Sequence, residues 1–509
     1  MSIQLDREVT QDLERAASVE WQETNGLGGG AGTTAAGLNS RRGHGLLVAA
    51  TPDGGRTLLL SRLDETIHVE GGSFDLGCNQ FPGTIAPRGF QHLVSFTRDL
   101  FPVYEYEAGG VRLRKTVAAV DGENTTLVLY EVLEAPGPFI LSLRPFVAAR
   151  DARDLASANA GLSQETRFED GVLRLHPQAA LPEVFLSVPG ADFHANPQWW
   201  YRFEYEADRR LGIDFQEDLW TPGVLGCELE AGGRLGVIVS TASPAGRDAF
   251  ALAAKERKRR ERRLAALPAQ DGLARHLALL ADSFLVRRGP QRTVVNAESQ
   301  RDALMALPGL CLATGRHEDA KRILRSASGA KEPDPWLFVA AWKYLQATDD
   351  EAFVRTALLP VLRRMVQAGE GFEDQALRYN ALEILAGLET RLGDPVEAMQ
   401  LQKQAKIVRK ELQEVPWTAL ALPFPLLPKA KAAGVLGTVS PEEVEPRLLG
   451  SYLTALVRAN GAAGRRTAKQ IVAGLEERLP ELDLGDAVAV AELLRACVED
   501  VQGSAKRKK

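Results

Sequence analysis

The sequence has little of what metal or redox chemistry requires. Only four cysteines occur in 509 residues, Cys78, Cys227, Cys311 and Cys497, and no two lie close enough for a CxxC pair. Neither a zinc site nor a disulfide framework is expected, and scattered thiols fit a reducing compartment. Seven scattered histidines form no Ser/His/Asp set, so no metal and no cofactor are expected. The net charge of −6 lacks the basic excess of a nucleic-acid-binding protein. No stretch approaches ~18 uninterrupted apolar residues, which argues against a membrane span. The opening MSIQLDREVTQDLERAA carries acids early and has no apolar core, unlike a signal peptide. A cytoplasmic protein is the expectation.

What is present is ordinary for a globular chain, with 45% hydrophobic and 25% charged residues. At roughly 100–200 residues per domain, two to four domains are expected. After a lead-in at 1–17, residues 18–250 read as strands. HGLLVAA, TTLVLYEVLEA and RLGVIVSTAS are short, rich in Val, Leu and Tyr, and broken by Gly, Asp, Asn or Pro. Val103, Tyr104, Glu105, Tyr106 and Glu107 alternate with period two. About a dozen such segments predict a large antiparallel β-sandwich. Residues 251–269 read as a charged helical linker. Its run ALAAKERKRRERR could contact phosphate, but the interleaved glutamates favour a solvated helix face. Residues 270–503 repeat apolar positions at i, i+3, i+4 and i+7 in about eleven helices, as a solenoid or closed toroid would. No fixed repeat period supports a tetratricopeptide array. Residues 504–509 form a basic tail, expected to be disordered.

The most specific segment is EWQETNGLGGGAGTTAAGLNSRRGHGLLVA, residues 20–49. It is a glycine-rich loop entering a strand, with two arginines and a histidine beside the strand start. The glycines at 26–30 lack the strand-before, helix-after context of a dinucleotide site. The segment resembles the N-terminal signature of bacterial and archaeal glycogen debranching enzymes of the amylo-α-1,6-glucosidase type, roughly E-W-x-x-T-N-G-L-G-G-Y-A-S-G-T…N-T-R-R-Y-H-G-L-L. Glu20, Trp21, Thr24, Asn25, Gly26, Leu27, Gly28, Gly29, Arg41, Arg42, His44, Gly45, Leu46 and Leu47 match it. LLLSRLDET, LGCNQFPGTIAPRGFQHLVSF, EDLWTPGV, ADSFLVRRG, LPGLCLATGR, RYNAL and ALPFPLLP resemble family segments in the same order. The resemblance implies a β-sandwich followed by a six-hairpin α/α toroid whose inner face holds glucan, with two carboxylates hydrolysing the α-1,6 branch. It also implies glucan contacts at Asn25, Arg41, Arg42, His44, Arg301, Trp336 and Tyr379. The partners it implies are glycogen or another α-glucan, together with an enzyme of glycogen metabolism.

The chain departs from that pattern where chemistry would sit. Relatives read roughly W-F-G-D-W-G-R-D-T-M-I-A-L-P-G-L where this chain has VVNAESQRDALMALPGL. Arg301 and Asp302 keep their places, but Glu298 stands for the first Asp, Ser299 for Trp and Gln300 for Gly. Aromatic platforms become Val295 and Asn296, and family tyrosines become Gly30 and Gly43. A long segment carrying the family's general acid shrinks to AGEGFEDQA, and the region carrying its base to KAKAAGVLGTVSPEEVEPRLLGSYL. Glycoside hydrolysis needs two carboxylates, about 6.5–9.5 Å apart in an inverting enzyme. Glu298 and Asp302 are the remaining catalytic candidates, although acids in a first helical turn also serve as caps. Trp199, Trp200 and Tyr201 read as a sugar platform or as sandwich packing. Asp334 and Glu332 lie near a family acid in a shortened loop. The expectation is a degenerate debranching-enzyme-like protein that binds glucan or acts as a scaffold. Its rivals are an active glucosidase using Glu298 and Asp302, and a protein-interaction module.

Overall fold

The computed structural model describes residues 3–267, 272–289, 291–294, 299–369, 372, 374–412, 414–477 and 486–501. The chain forms two compact units, Ser2–Glu261 and Arg262–Lys509. No described helix is long and apolar enough to cross a membrane.

The first unit pairs two large sheets. A nine-stranded sheet runs Ile3–Leu5, Leu93–Arg98, Pro102–Ala108, Val111–Ala119, Thr125–Glu134, Arg234–Ser240, Val184–Ser187, Val172–Leu175, Thr166–Glu169. An eight-stranded sheet runs Asp192–Glu204, Gln216–Leu229, Phe139–Asp151, Arg56–Val69, Gly45–Ala50, Gly30–Thr34, Glu20–Thr24, with Gly72–Asp75 added on Arg56–Val69. One core draws Tyr104, Leu113 and Val128 from the first sheet and Leu60, Ile67 and Leu141 from the second, as two packed sheet faces require. Period-two alternation does the sorting: strand Pro102–Ala108 buries Tyr104 and Tyr106 and turns Glu105 and Glu107 outward. The Trp21 indole donates to the Tyr104 hydroxyl, which donates to the Thr34 carbonyl at 2.8 Å.

The basic run at 251–263 departs from the expected solvated linker. It lies in helix Ala249–Ala265, where Glu256 is 3% and Arg260 6% exposed. Arg260 donates to both oxygens of buried Glu23, at 3.0 and 2.5 Å, and its guanidinium lies 4.5 Å from the Phe101 ring centroid. Arg98 joins the same carboxylate. Burial alone would raise the Glu23 pKa, but the charges of Arg260 and Arg98 hold it below the ordinary carboxylate range. This face of the helix is anchored because a desolvated carboxylate needs its cations.

In the second unit the helices close on themselves, as a toroid requires. Helix Gln300–Leu307 packs on Trp336–Thr348, which packs on Gln375–Leu392. Asn380 then accepts from the Phe424 amide at 2.7 Å, and the 3-10 turn Trp417–Ala421 just before it packs on Leu449–Glu477. That last helix is broken at Gly461, with φ 58°. The final helix, Ala487–Arg495, packs on Leu449–Glu477 and returns to Gln300–Leu307 and to Gly272–Phe284.

Closure depends on backbone meeting backbone. A β-carbon on Gly309 would lie 1.8 Å from the Ala491 carbonyl oxygen, and one on Gly450 would lie 2.1 Å from the Glu492 carbonyl carbon. Both glycines press on the same helix. Gly309→Ala is expected to destabilise by at least the ~1–3 kcal/mol typical of overpacking, because neither backbone can move aside. Gly434→Ala, which meets nothing within 4 Å, is expected to be neutral or stabilising. Urea unfolding of the two variants checks this contrast.

Candidate functional site

The signature loop joins strands Glu20–Thr24 and Gly30–Thr34. Asn25 is buried and holds the loop's shape. Its Oδ1 accepts from the Leu27 and Gly29 amides at 2.9 and 3.0 Å, and its Nδ2 donates to Asn124 at 2.9 Å. Gly30 has φ 150°, and a β-carbon there would lie 1.9 Å from the Glu23 carbonyl oxygen, so the tyrosine of the family pattern has no room. Arg42 clamps distant segments together. Its backbone amide and Nε donate to Asp208 at 2.7 and 3.2 Å, and its guanidinium also reaches the carbonyls of Arg153 and Asp214. Arg41 grips Glu20 with Nε at 2.8 and 2.9 Å from the two oxygens. His44 accepts from the Ser40 amide through Nδ1 at 3.1 Å, and its Nε2 lies 3.8 Å from Glu20. Thus Asn25 and Arg42 are committed to the loop and its neighbours, while Arg41 and His44 flank one carboxylate.

In the helical unit, Ser299 caps helix Gln300–Leu307. Its hydroxyl accepts from the Asp302 amide at 3.2 Å and donates to the Asp302 carboxylate at 3.0 Å, and Arg447 pairs with the other oxygen. Asp302 is therefore a buried first-turn acid with both oxygens in use. Glu298, its proposed partner, lies outside the described residues. Arg301 reaches Asp334 at 3.3 Å, and Asp334 accepts from the Trp336 amide at 2.9 Å, at the start of the next helix. Glu332 is exposed. Tyr379 is buried, with the Arg409 guanidinium 5.8 Å from its ring centroid. Leu377, not Tyr379, is the residue from that turn that lines the central cavity.

This cavity lies among the ring helices and has a volume of about 120 Å³, below the ~300–1,000 Å³ of ordinary ligand sites. Leu304, Pro308, Trp336, Leu377, Thr418 and Leu422 give it a largely apolar wall. Two carboxylates reach it, Asp374 and Glu492. Asp374 caps helix Gln375–Leu392, accepting from the Ala376 and Leu377 amides at 2.8 and 3.2 Å. Glu492 accepts from Arg495 at 3.0 and 2.8 Å and from Ser451 at 3.2 Å. Trp336 is thus the one implied glucan contact that lines this cavity.

Trp200 packs on Phe146 with ring centroids 5.2 Å apart, and Arg144 lies 5.6 Å from its ring centroid; Trp199 packs on the sandwich core and Tyr201 is 59% exposed. Sequence reasoning missed a larger cleft of about 430 Å³ in the β unit. It is lined by Gln80, Phe81, Thr84, Arg88, Glu204 and Arg209 among others. Its only signal was the family-like stretch LGCNQFPGTIAPRGFQHLVSF, to which no role attached. Among the described residues, no group of three or more His, Cys, Asp or Glu is placed to hold a metal. The four cysteines are buried, and burial pushes the Cys78 and Cys311 thiols up to about 12.

The Glu20 cluster has a pH signature. Burial alone would raise the Glu20 pKa, but His44 and Arg41 hold it down to about 2, from an ordinary 4.5. Its folded pKa lies below its unfolded one. The stabilisation is therefore complete above pH 4.5 and is lost as pH falls towards about 2. In urea titrations across that window, Glu20→Gln is expected to be less stable than wild type near neutrality and to converge with it at the acid end.

No curated protein matches this sequence. Among solved structures, the chain is similar to a bacterial glucoamylase complexed with acarbose, with 10% identity and a TM-score of 0.38, covering 70% of this chain and 62% of that one. It is also similar to a putative kojibiose phosphorylase from the human microbiome, with 9% identity and a TM-score of 0.49, covering 95% of this chain and 82% of that one. The chain thus spans less than two thirds of the glucoamylase, and superpositions this loose decide nothing about activity. The family model described as "Glycogen debranching enzyme N terminal" matches residues 19–235. That span holds the signature loop, the Arg42 clamp and most of both sheets, so this part of the chain is similar to the glycogen debranching enzyme N-terminal family.

Proposed function

We propose that this protein is a debranching-enzyme-like member of α-glucan metabolism that binds glucan without hydrolysing it, and that it serves as a scaffold beside an enzyme acting on glycogen. The family match supports the glucan link. The observation that carries the loss of hydrolysis is the use already made of the carboxylates around the helical ring. Asp302 and Asp374 cap helices, and Glu492 is paired with Arg495. A general acid needs a carboxyl whose pKa is raised. Among the described residues, the carboxyl groups displaced from their ordinary values, such as Glu20, Glu23, Glu389 and Asp500, are displaced downward. The cavity of about 120 Å³ is also too small for a glucan branch point.

Two assays test the reading. Purified protein is expected to be retarded in a native gel containing glycogen, and to release no glucose from a branched limit dextrin above the level of a Glu298→Gln variant. Glucose release that falls in Glu298→Gln or Asp302→Asn would establish an active glucosidase instead. Absence of retardation would leave a protein-interaction module as the surviving alternative.

A further inference from the structure

The cleft in the β unit has the size and lining of a ligand site. One wall is the hairpin of strands Cys78–Phe81 and Thr84–Arg88, and the other is the end of strand Asp192–Glu204 with helix Glu206–Arg210. Its volume of about 430 Å³ falls within the range of small-molecule sites. Phe81 is half-buried, and its ring is fixed against Phe203 and Trp200 with centroids 4.7 and 6.5 Å away. Arg88 and Arg209 are exposed, and each guanidinium lies over a ring, Phe90 at 5.5 Å and Phe215 at 5.6 Å. This leaves donors at the guanidinium edges. Glu204 is 6% exposed and accepts from Gln216 at 2.7 Å. Arg209 also lies 3.7 Å from Glu206.

A second, independent feature lies behind this lining. A recess of about 10 Å³ shares Gln80 and Glu204 with the cleft and is walled by polar groups that include Asn39, Ser61 and Arg62. Asn79 also lines it. This residue is 1% exposed, its Nδ2 donates to Asp64 at 2.6 Å, and its Oδ1 has no hydrogen-bond partner. A buried acceptor left unpaired is destabilising. Asn79 leaves one polar acceptor uncommitted directly behind the ligand-sized opening.

The chemistry of the walls selects the ligand. Donors (Arg88, Arg209, the Thr84 hydroxyl) and acceptors (Glu204, the Gln80 amide oxygen) surround a ring face. A neutral sugar answers both, because each hydroxyl donates and accepts and the C–H face packs on an aromatic. Two arginines alone would favour a phosphate, but the Glu204 carboxylate opposes a second anion. We propose that this cleft, and not the cavity of the helical unit, holds the glucan, taking a neutral chain end of one or a few glucosyl units. This deepens the glucan-binding reading above and rests on it.

The test uses the full chain, with maltoheptaose as the calorimetric probe. Arg88→Ala is expected to weaken binding at least tenfold without a change in Tm. Thr84→Trp, at the exposed rim, should block it. Thr418→Phe, which fills the helical cavity, should leave affinity unchanged. If Arg88→Ala and Thr84→Trp both bind like wild type, the cleft assignment fails while the glucan reading stands. If wild type binds neither maltoheptaose nor glycogen, the glucan reading fails and the cleft assignment with it. Displacement of maltoheptaose by inorganic phosphate would overturn the neutral-sugar assignment in favour of an anion site.

Discussion

The β unit's cleft wall depends on the hydrogen bonds of Arg42. They join three segments far apart in sequence: the signature loop, the turn at Arg153, and the stretch from Asp208 to Asp214. The Arg42 carbonyl accepts from Arg150 at 2.9 Å, and Arg150 forms a buried bidentate pair with Glu217. Glu217 also accepts from the Tyr205 hydroxyl and, at 2.9 Å, from the Ala156 amide. Charge-assisted bonds are each worth ~1.5–3 kcal/mol, and a low-dielectric network of them loses more than one bond when a member goes. The network orients Tyr205, and with it the adjacent Glu204 and the helix carrying Arg209. A residue of the signature thus places a wall of the cleft.

The helical ring uses charge differently. A catalytic carboxyl must be desolvated and left without a strong cationic partner, so that its proton is held near neutral pH. Here acids of the helical unit acquire arginines: Arg447 on Asp302, Arg495 on Glu492, and Arg363 on Glu389. For Glu389, Arg363 outweighs burial and holds the carboxyl below its ordinary value. The bond that makes Glu389 a good cross-tie makes it a poor proton donor, so stability and general-acid function pull against each other at that side chain.

Much of the fold was legible because it follows local periodicity. Strand Pro102–Ala108 alternates in sequence and alternates in burial. The fourteen-residue strand Arg56–Val69 buries both faces over its middle, so Leu58, Leu59 and Leu60 follow one another without polar alternation. What depends on distant partners was not legible. The basic run at 251–263 looks solvated until Arg260 meets Glu23, 237 residues away. The cleft brings residues 80–88 to residues 204–209, and neither stretch carries a motif by itself. Asn25 and Arg42 were recognisable as signature residues, but their roles depend on Asn124 and Asp208, which no spacing rule indicates.

The segment Ser299–Gly309 shows how a helix start and a helix contact make separate demands on the sequence. Its start must only begin a helix, and Ser299 with Asp302 does so through two reciprocal hydrogen bonds. Its end must let two backbones touch, and only a residue without a β-carbon allows the approach of Gly309 to Ala491. Those demands fall on different residues, so side chains at the start can change while the ring stays closed. Among the described residues, ring acids such as Asp302, Asp374 and Glu492 serve as caps and cross-ties. A binding surface free of those constraints can vary independently. The β-unit cleft meets that condition, because its walls are held by Arg42 and Phe203 while Arg88, Thr84 and Arg209 remain exposed.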